Sequence, residues 1–388
     1  MPSFGKQGRL LVIIMLSSFL LNLTFGAYRS IFNNFAVEEI GVLPGAYGLL
    51  EGIREIPGLL AMFLLAAMAF IKDERLYALS GGMIAVGIWL YAGAGGYGDL
   101  VFATLVQSVG FHIYFVVQDS MVIRTTEVGD RARRLGQINS AAAAGTMVGM
   151  VMVLLTNQWF NFRQYFAIFG AVGVIGSLVA LLIKPNPEAA RRSSFVFDWR
   201  FRSYYILTLL SGARRHIVLT FASYALVKLH GTPVSTMVTL LMIISMLAIF
   251  TRPLIGRIID KVGEQRALSL NYAVVALVFL GYAFVQEAYV VYALYVLDNV
   301  LTGFDIAIST HAGRIIPREK LSASLATGTT INHIFGVTVP MAGGLLWEWF
   351  GPQIPFLMGV GIVLAAIAYS WNLDAKTARA QAALAAVD

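Results

Sequence analysis

Long apolar runs alternate with short polar intervals along almost the whole chain. Each run approaches the about 20 residues that an α-helix needs to cross about 30 Å of hydrocarbon. The pattern predicts membrane spans at roughly 10–30, 45–71, 76–95, 100–124, 135–157 and 164–183. After a polar interval it predicts six more, at roughly 203–228, 233–256, 267–285, 288–313, 321–347 and 353–372. The first run follows Lys6 and Arg9, as the core of a signal peptide would. No A-x-A-like cleavage site follows it, and the same pattern continues through the later spans, so it is read as a span.

Composition agrees with lipid as the solvent. Hydrophobic residues make up 58% of the 388 and charged residues 13%, against about 45–50% and about 25% in soluble domains. The absence of cysteine excludes disulfides, thiolate metal sites and thiol nucleophiles. The net charge of +7 is a topology signal, because 22 of the 28 Lys and Arg fall on one side of the predicted spans. Only Arg163 and Lys228 fall on the other side, and four arginines lie inside spans. An even number of spans with both termini cytoplasmic satisfies this bias, and no nucleic-acid partner is expected.

The interval from Lys184 to Arg202 carries Pro185, Pro187, Arg191 and Arg192. It divides the chain into an N-terminal six-helix half (1–183), a cytoplasmic linker (184–202), a C-terminal six-helix half (203–373) and a cytoplasmic tail (374–388). A trace of a repeat joins the halves. Gly26-Ala27-Tyr28-Arg29-Ser30-Ile31 aligns with Gly212-Ala213-Arg214-Arg215-His216-Ile217, and Phe35 then meets Phe221. Transporters are often built from such repeats, with the substrate site near mid-membrane between them.

The loop between spans 8 and 9 reads Gly256-Arg-Ile-Ile-Asp260-Lys261-Val-Gly263-Glu-Gln-Arg266. It resembles the signature loop of the major facilitator superfamily, with Glu264 and Gln265 standing where that pattern has basic residues. Glycine lets two helices approach closely, and the acid can latch onto a neighbouring helix end or arginine on the cytoplasmic side. The first-half loop, Phe70-Ile71-Lys72-Asp73-Glu74-Arg75, lacks the glycines. Span 11 carries Gly336, Pro340, Gly343 and Gly344, similar to the glycine–proline motif of the family's antiporters, whereas span 5 offers Gly145 and Gly149 without proline. The resemblance implies an all-α membrane protein of twelve helices in a 6+6 arrangement that exposes a central site alternately to each side.

Ionisable groups inside spans are costly and point to function. Glu51, Arg54 and Glu55 share one helix face in span 2 and form a candidate outer gate. Gly256, Asp260, Lys261, Gly263 and Arg266 are candidates for the cytoplasmic latch. Asp298 and Asp305 lie two turns apart on one face, as do His112 and Asp119. Asp119, Asp298, Asp305 and His311 are candidate proton carriers. Arg214 lies about 16 Å into span 7, near mid-membrane. Neighbouring residues point about 100° apart, so one of Arg214 and Arg215 can pair with Asp298 or Asp305 while the other faces a solute. Arg29, Arg214, Arg215, His216, His112 and Asn332 are the candidate substrate residues. Arg29, counted from Leu10, lies near the outer end of span 1 instead.

These features predict a secondary active transporter of a small organic anion, since guanidinium binds carboxylate or phosphate through two parallel bonds. Paired arginines on the first helices of both halves resemble the family's organic-phosphate exchangers. No P-loop is present, so a proton or solute gradient is the expected energy source. The alternative is efflux of hydrophobic or cationic compounds held by the acids. A membrane enzyme using His112 with Asp119 or His311 with Asp305 is a third reading, without a compact nucleophile or metal motif to support it. The chain is expected to be a monomer in the bacterial inner membrane, in contact with lipid and a small-molecule substrate, without cofactor or metal.

Overall fold

The computed structural model describes residues 6–68, 70–126, 130–184, 197–373 and 375–378. Residues 185–196 of the expected linker, and 374 and 379–388 of the expected tail, lie outside the described residues. The described residues are helical nearly throughout and contain no strand. Helices α1 (Lys6–Asn34), α2 (Pro44–Leu59), α3 (Ala61–Ala67), α4 (Asp73–Leu90), α5 (Tyr97–Thr125), α6 (Arg131–Thr156) and α7 (Phe162–Ala180) make the first six spans. The second six are made by α8 (Arg202–Ile217), α9 (Ser223–Lys228), α10 (Val234–Val262), α11 (Glu264–Phe284), α12 (Ala288–Leu301), α13 (Ile306–Ile315), α14 (Arg318–Phe350) and α15 (Gln353–Ser370). The molecule is an all-α polytopic membrane protein in the 6+6 arrangement.

Among the described residues, nine helices are long and apolar enough by themselves to cross a membrane. The other three predicted spans, 45–71, 203–228 and 321–347, are helical as well: the first two are interrupted, and the third lies within the single helix α14, where Thr, Ser, Asn332, His333 and glycines dilute the apolar residues. Span 2 breaks at Leu60, between α2 and α3, three residues after Pro57. Span 7 passes from α8 through a π-helical turn, Val218–Ala222, into α9. Span 10 breaks differently, through a 3-10 turn at Thr302–Asp305 that separates α12 from α13.

Two compact units emerge. The first comprises Met1–Val42, Leu60–Arg191 and Pro233–Thr239, and the second Leu43–Leu59, Arg192–Thr232 and Leu240–Asp388. In the first, α1 lies so close to α6 that a Cβ on Gly145 would strike the Phe19 carbonyl oxygen, and one on Gly149 that of Leu23. Rings of Tyr28, Tyr91, Phe35 and Phe166 fill its core, with Tyr28 stacked on Tyr91 at 5.5 Å. A capping box of Asn161 and Gln164 starts α7. In the second unit α14 packs against both α2 and α8. Gly48 and Gly344 face each other at the first crossing, and Tyr47, Tyr224 and Trp347 pack beside it.

The repeat is visible in the helices themselves. Both α1 and α8 run into π-helical turns, at Phe35–Glu39 and Val218–Ala222. Phe35 and Phe221 are both buried in them. Gly26 meets α6 at Thr146 and Gly212 meets α14 at Asn332, the fifth span of each half.

Candidate functional site

Arg214 lies 12 positions beyond the start of α8, about 18 Å along the axis, and is fully buried. Its Nη2 donates to Asp298 Oδ1 at 2.7 Å and to the Asp298 main-chain carbonyl at 3.2 Å. Asp298, on the last turn of α12, is also fully buried. Asp305 closes the following 3-10 turn, half-buried and within electrostatic reach of Arg214. The pairing is incomplete: Arg214 Nε and Nη1, Asp298 Oδ2 and Asp305 Oδ1 have no hydrogen-bond partner among the described residues. Nor do the hydroxyls of Tyr272 and Tyr282, which lie on α11 and act electrostatically on the same charges.

Arg215 points elsewhere on the same helix. Half-buried, it donates from Nη2 to Asn332 Oδ1 at 2.6 Å, and Asn332 Nδ2 donates to the Thr208 carbonyl at 3.2 Å. No carboxylate pairs with Arg215 among the described residues, and its Nε has no partner. One residue on, buried His216 places Nε2 3.8 Å from Glu55 Oε2 on α2. The same oxygen meets His333 Nδ1, on α14, at 2.7 Å. On the turn before, Arg54 holds Glu51 at 2.5 Å. The second unit thus assembles Arg215, Asn332, His216, His333 and Glu55 in one place, and Arg214, Asp298 and Asp305 in another.

Arg29 is exposed on α1 and forms no hydrogen bond or ion pair among the described residues. His112 turns its Nδ1 onto the Ser108 carbonyl of its own helix at 2.9 Å. Asp119 is exposed and lies about 10 Å further along α5, so the suggested His112–Asp119 acid–base pair does not form. His311 is buried, with Nε2 2.9 Å from Ser203 Oγ and Nδ1 3.4 Å from Thr377 Oγ1. It ties the start of α8 to residue 377 and makes no pair with Asp305.

At the loop, Gly263 takes φ +83°, which lets α10 end and α11 begin within one residue. Gly256 has nothing within 4 Å of where a Cβ would stand, so no close helix crossing is made there. Asp260, Lys261 and Arg266 are exposed, and Asp260 has no ion pair among the described residues. The ion pair belongs instead to Glu264, whose Oε2 accepts from Arg314 Nη1 at 2.6 Å and links α11 to α13. Sequence reasoning passed over Glu264 because it departs from the expected basic pattern. An acid in the first turn of one helix and an arginine in the last turn of another were the available signal.

Comparison with known proteins places this geometry. A family model of the Major Facilitator Superfamily matches residues 14–310. A Lactococcus lactis protein named as a multi-drug resistance efflux pump PmrA homolog is 24% identical over 254 residues, 61% of this chain and 63% of that protein. The Streptococcus pneumoniae multi-drug resistance efflux pump PmrA is 30% identical over 116 residues, 30% of this chain and 29% of its own. The matches thus span less than two thirds of these relatives' lengths. Among solved structures, the nucleoside transporter NupG superposes with a TM-score of 0.74 at 16% identity, covering 95% of this chain and 98% of that one. A bacterial homolog of the human lysosomal transporter Spinster gives 0.73 at 12% identity, covering 98% and 99%.

Proposed function

We propose a transport reaction for this chain from the premise that it belongs to the Major Facilitator Superfamily. It is an integral membrane transporter of a small-molecule substrate that works by alternating access. In our reading the substrate is a small organic anion. The observation that carries this is the contrast between adjacent arginines, since Asp298 neutralises Arg214 while Arg215 has only the neutral Asn332 amide. A half-buried guanidinium without a counter-charge, with an unpaired Nε, offers a carboxylate or phosphate the two-bond fork that an ammonium lacks. His216 and Asn332 flank it. In the same reading both termini are cytoplasmic, the protein acts as a monomer in the bacterial plasma membrane, and protons couple through Asp305 and Asp298, which share one arginine.

Efflux of hydrophobic or cationic compounds is the second reading. It is favoured by two relatives named as multi-drug resistance efflux pumps and by Glu55, a carboxylate at the same cluster as Arg215.

Transport by purified protein in liposomes, measured with a panel of labelled organic anions and cations, separates the two. Arg215→Lys should already impair anion transport, and Arg215→Gln should cost on the order of 2–5 kcal/mol in transition-state or binding free energy. Neither Asp298→Asn nor Asp305→Asn should rescue Arg215→Gln, because the acids belong to Arg214. Rescue by either, or cation transport that survives Arg215→Gln and fails in Glu55→Gln, would overturn the anion reading.

A further inference from the structure

Arg215 takes its direction from a neighbour on α14. Asn332 Oδ1 accepts from Arg215 Nη2 at 2.6 Å, and Asn332 Nδ2 donates to the Thr208 main-chain carbonyl at 3.2 Å. The two partners fix which end of the amide faces which. A guanidinium only donates and a carbonyl only accepts, so the amide oxygen turns to Arg215 and the amide nitrogen to Thr208. An aspartate, nearly the same shape, would satisfy Arg215 but set its second oxygen against the Thr208 carbonyl. It would also cancel the charge that a solute anion needs.

Both helices build the seat for this amide. Thr208, Gly212 and Arg215 recur at helical spacing on one face of α8. A Cβ on Gly212 would stand 2.6 Å from Asn332 Nδ2 and 2.9 Å from its Cγ, so any larger residue would push the amide aside. On α14, one turn before and one turn after Asn332, Gly328 leaves room for the Tyr204 hydroxyl and Gly336 for His216 Nε2. Asn332 occupies one donor of the guanidinium, and Arg215 Nε has no partner. The group is thus aimed from one side and keeps donors for a solute on another. We propose that Asn332 is the positioning residue for Arg215 and, being an amide where a carboxylate would fit, sets the sign of charge the site accepts. This rests on the anion reading above. The same helix carries the contrast, since Arg214 is held by the Asp298 carboxylate and Arg215 by a neutral oxygen.

The test compares Asn332→Asp with Asn332→Ala in the full-length protein, by liposome transport of the labelled anion and cation panel and by thermal unfolding in detergent. Asn332→Ala leaves Arg215 charged but unaimed, and should raise the KM for anions severalfold with the maximal rate kept. Asn332→Asp neutralises Arg215 and should raise that KM further, by more than about tenfold, the scale of a lost hydrogen bond to a charged group. A packing role alone gives the opposite order, because aspartate keeps the shape and alanine opens a gap. Gly212→Ala displaces the amide with Arg215 and Asn332 both present, and should resemble Asn332→Ala. Where Asn332→Asp does not fold, folded Gly212→Ala carries the test, and an unchanged KM there would overturn the positioning role. Anion transport by the parent that Asn332→Asp impairs no more than Asn332→Ala would overturn the role of Asn332 and leave the anion reading standing. A parent that transports cations and none of the anions would overturn the anion reading, and the sign selection with it.

Discussion

The interiors of the two units solve the same problem with different chemistry. In the first unit, the polar side chains buried along α1 are neutral, and main-chain carbonyls accept from several of them. Ser30 donates to the Gly26 carbonyl, Asn22 to that of Ser18, and Thr24 reaches the Phe169 carbonyl on α7. Its buried acids, Asp73 and Glu74, sit in the first turn of α4, where a helix end favours negative charge. The second unit buries Arg214, Asp298, His216 and His333 within its helices. A neutral hydroxyl can return to its own helix, but a buried charge needs a partner from another one. The ionic contacts therefore tie α2, α8, α12 and α14 together, and each can be rearranged by a proton, an ion or a charged solute. The two halves nevertheless share their π-helical turns.

The largest expected effect tests whether this contrast is energetic as well as chemical. Asp298→Leu leaves Arg214 buried without its acid, and breaking such a pair costs about 3–5 kcal/mol. Removing both charges in Arg214→Met with Asp298→Leu should return most of that stability. In the first unit, Thr24→Val removes one hydrogen bond and should cost about 1 kcal/mol. Thermal unfolding in detergent measures all three. Equal losses in Asp298→Leu and Thr24→Val would erase the distinction between the interiors.

Next in size is the helix crossing, where the units should behave alike. Gly149→Val in the first unit drives a side chain into the Leu23 carbonyl, and Gly48→Val in the second drives one into that of Pro340. Each should destabilise by about 1–3 kcal/mol through overpacking. Gly256→Ala, with open space at the Cβ position, should change stability by less than about 0.5 kcal/mol. A large loss at Gly256 would restore the close approach that its motif suggested.

The spans and the halves were legible because twenty-residue apolar runs have few alternative readings. The breaks within them were less so. Leu60 and the turn at Thr302–Asp305 interrupt apolar stretches that hydropathy alone runs together. The depth of Arg214 was readable by counting along a helix, but the choice of Asp298 over Asp305 needed the geometry of the 3-10 turn. Glu55, His216 and His333 could not be grouped by spacing, since they lie on three helices far apart in sequence. Arg29 shows the limit of the repeat. It aligns with Arg215, yet it is exposed where Arg215 is half-buried.

A smaller effect separates the loop motif from the contact beside it. Glu264→Gln removes the pair with Arg314, whose side chain is 50% exposed. The loss should therefore be at the surface-pair scale, about 0.2–1 kcal/mol. Asp260→Asn, with no pair to lose, should shift unfolding less. If Asp260→Asn alone impairs transport without altering stability, the latch acts in a different conformation of the loop.

The smallest effect comes from an acid and an arginine paired near water, the counterpart of Arg214 and Asp298. Asp198 Oδ1 accepts from Arg200 Nε at 3.0 Å and Oδ2 from Arg200 Nη2 at 2.6 Å, with Lys320 Nζ 3.6 Å from Oδ2. The hydrogen bonds from Arg200, side chain first, hold the Asp198 carboxyl down at about 2 despite partial desolvation. Its unfolded value is about 3.9, so the folded state favours the ionised form. The stabilisation is fully present above that unfolded value and is lost as pH falls through about 2. Arg200 is 32% exposed on its side chain, so solvent screens the pair; its contribution should not exceed about 1 kcal/mol. Asp198→Asn should accordingly lower the unfolding temperature slightly at neutral pH, and the gap from the parent should close between about pH 4 and pH 2. A gap that stays constant over that window would mean that Asp198 acts through its shape, and that charge pairing matters to this chain only where water is excluded.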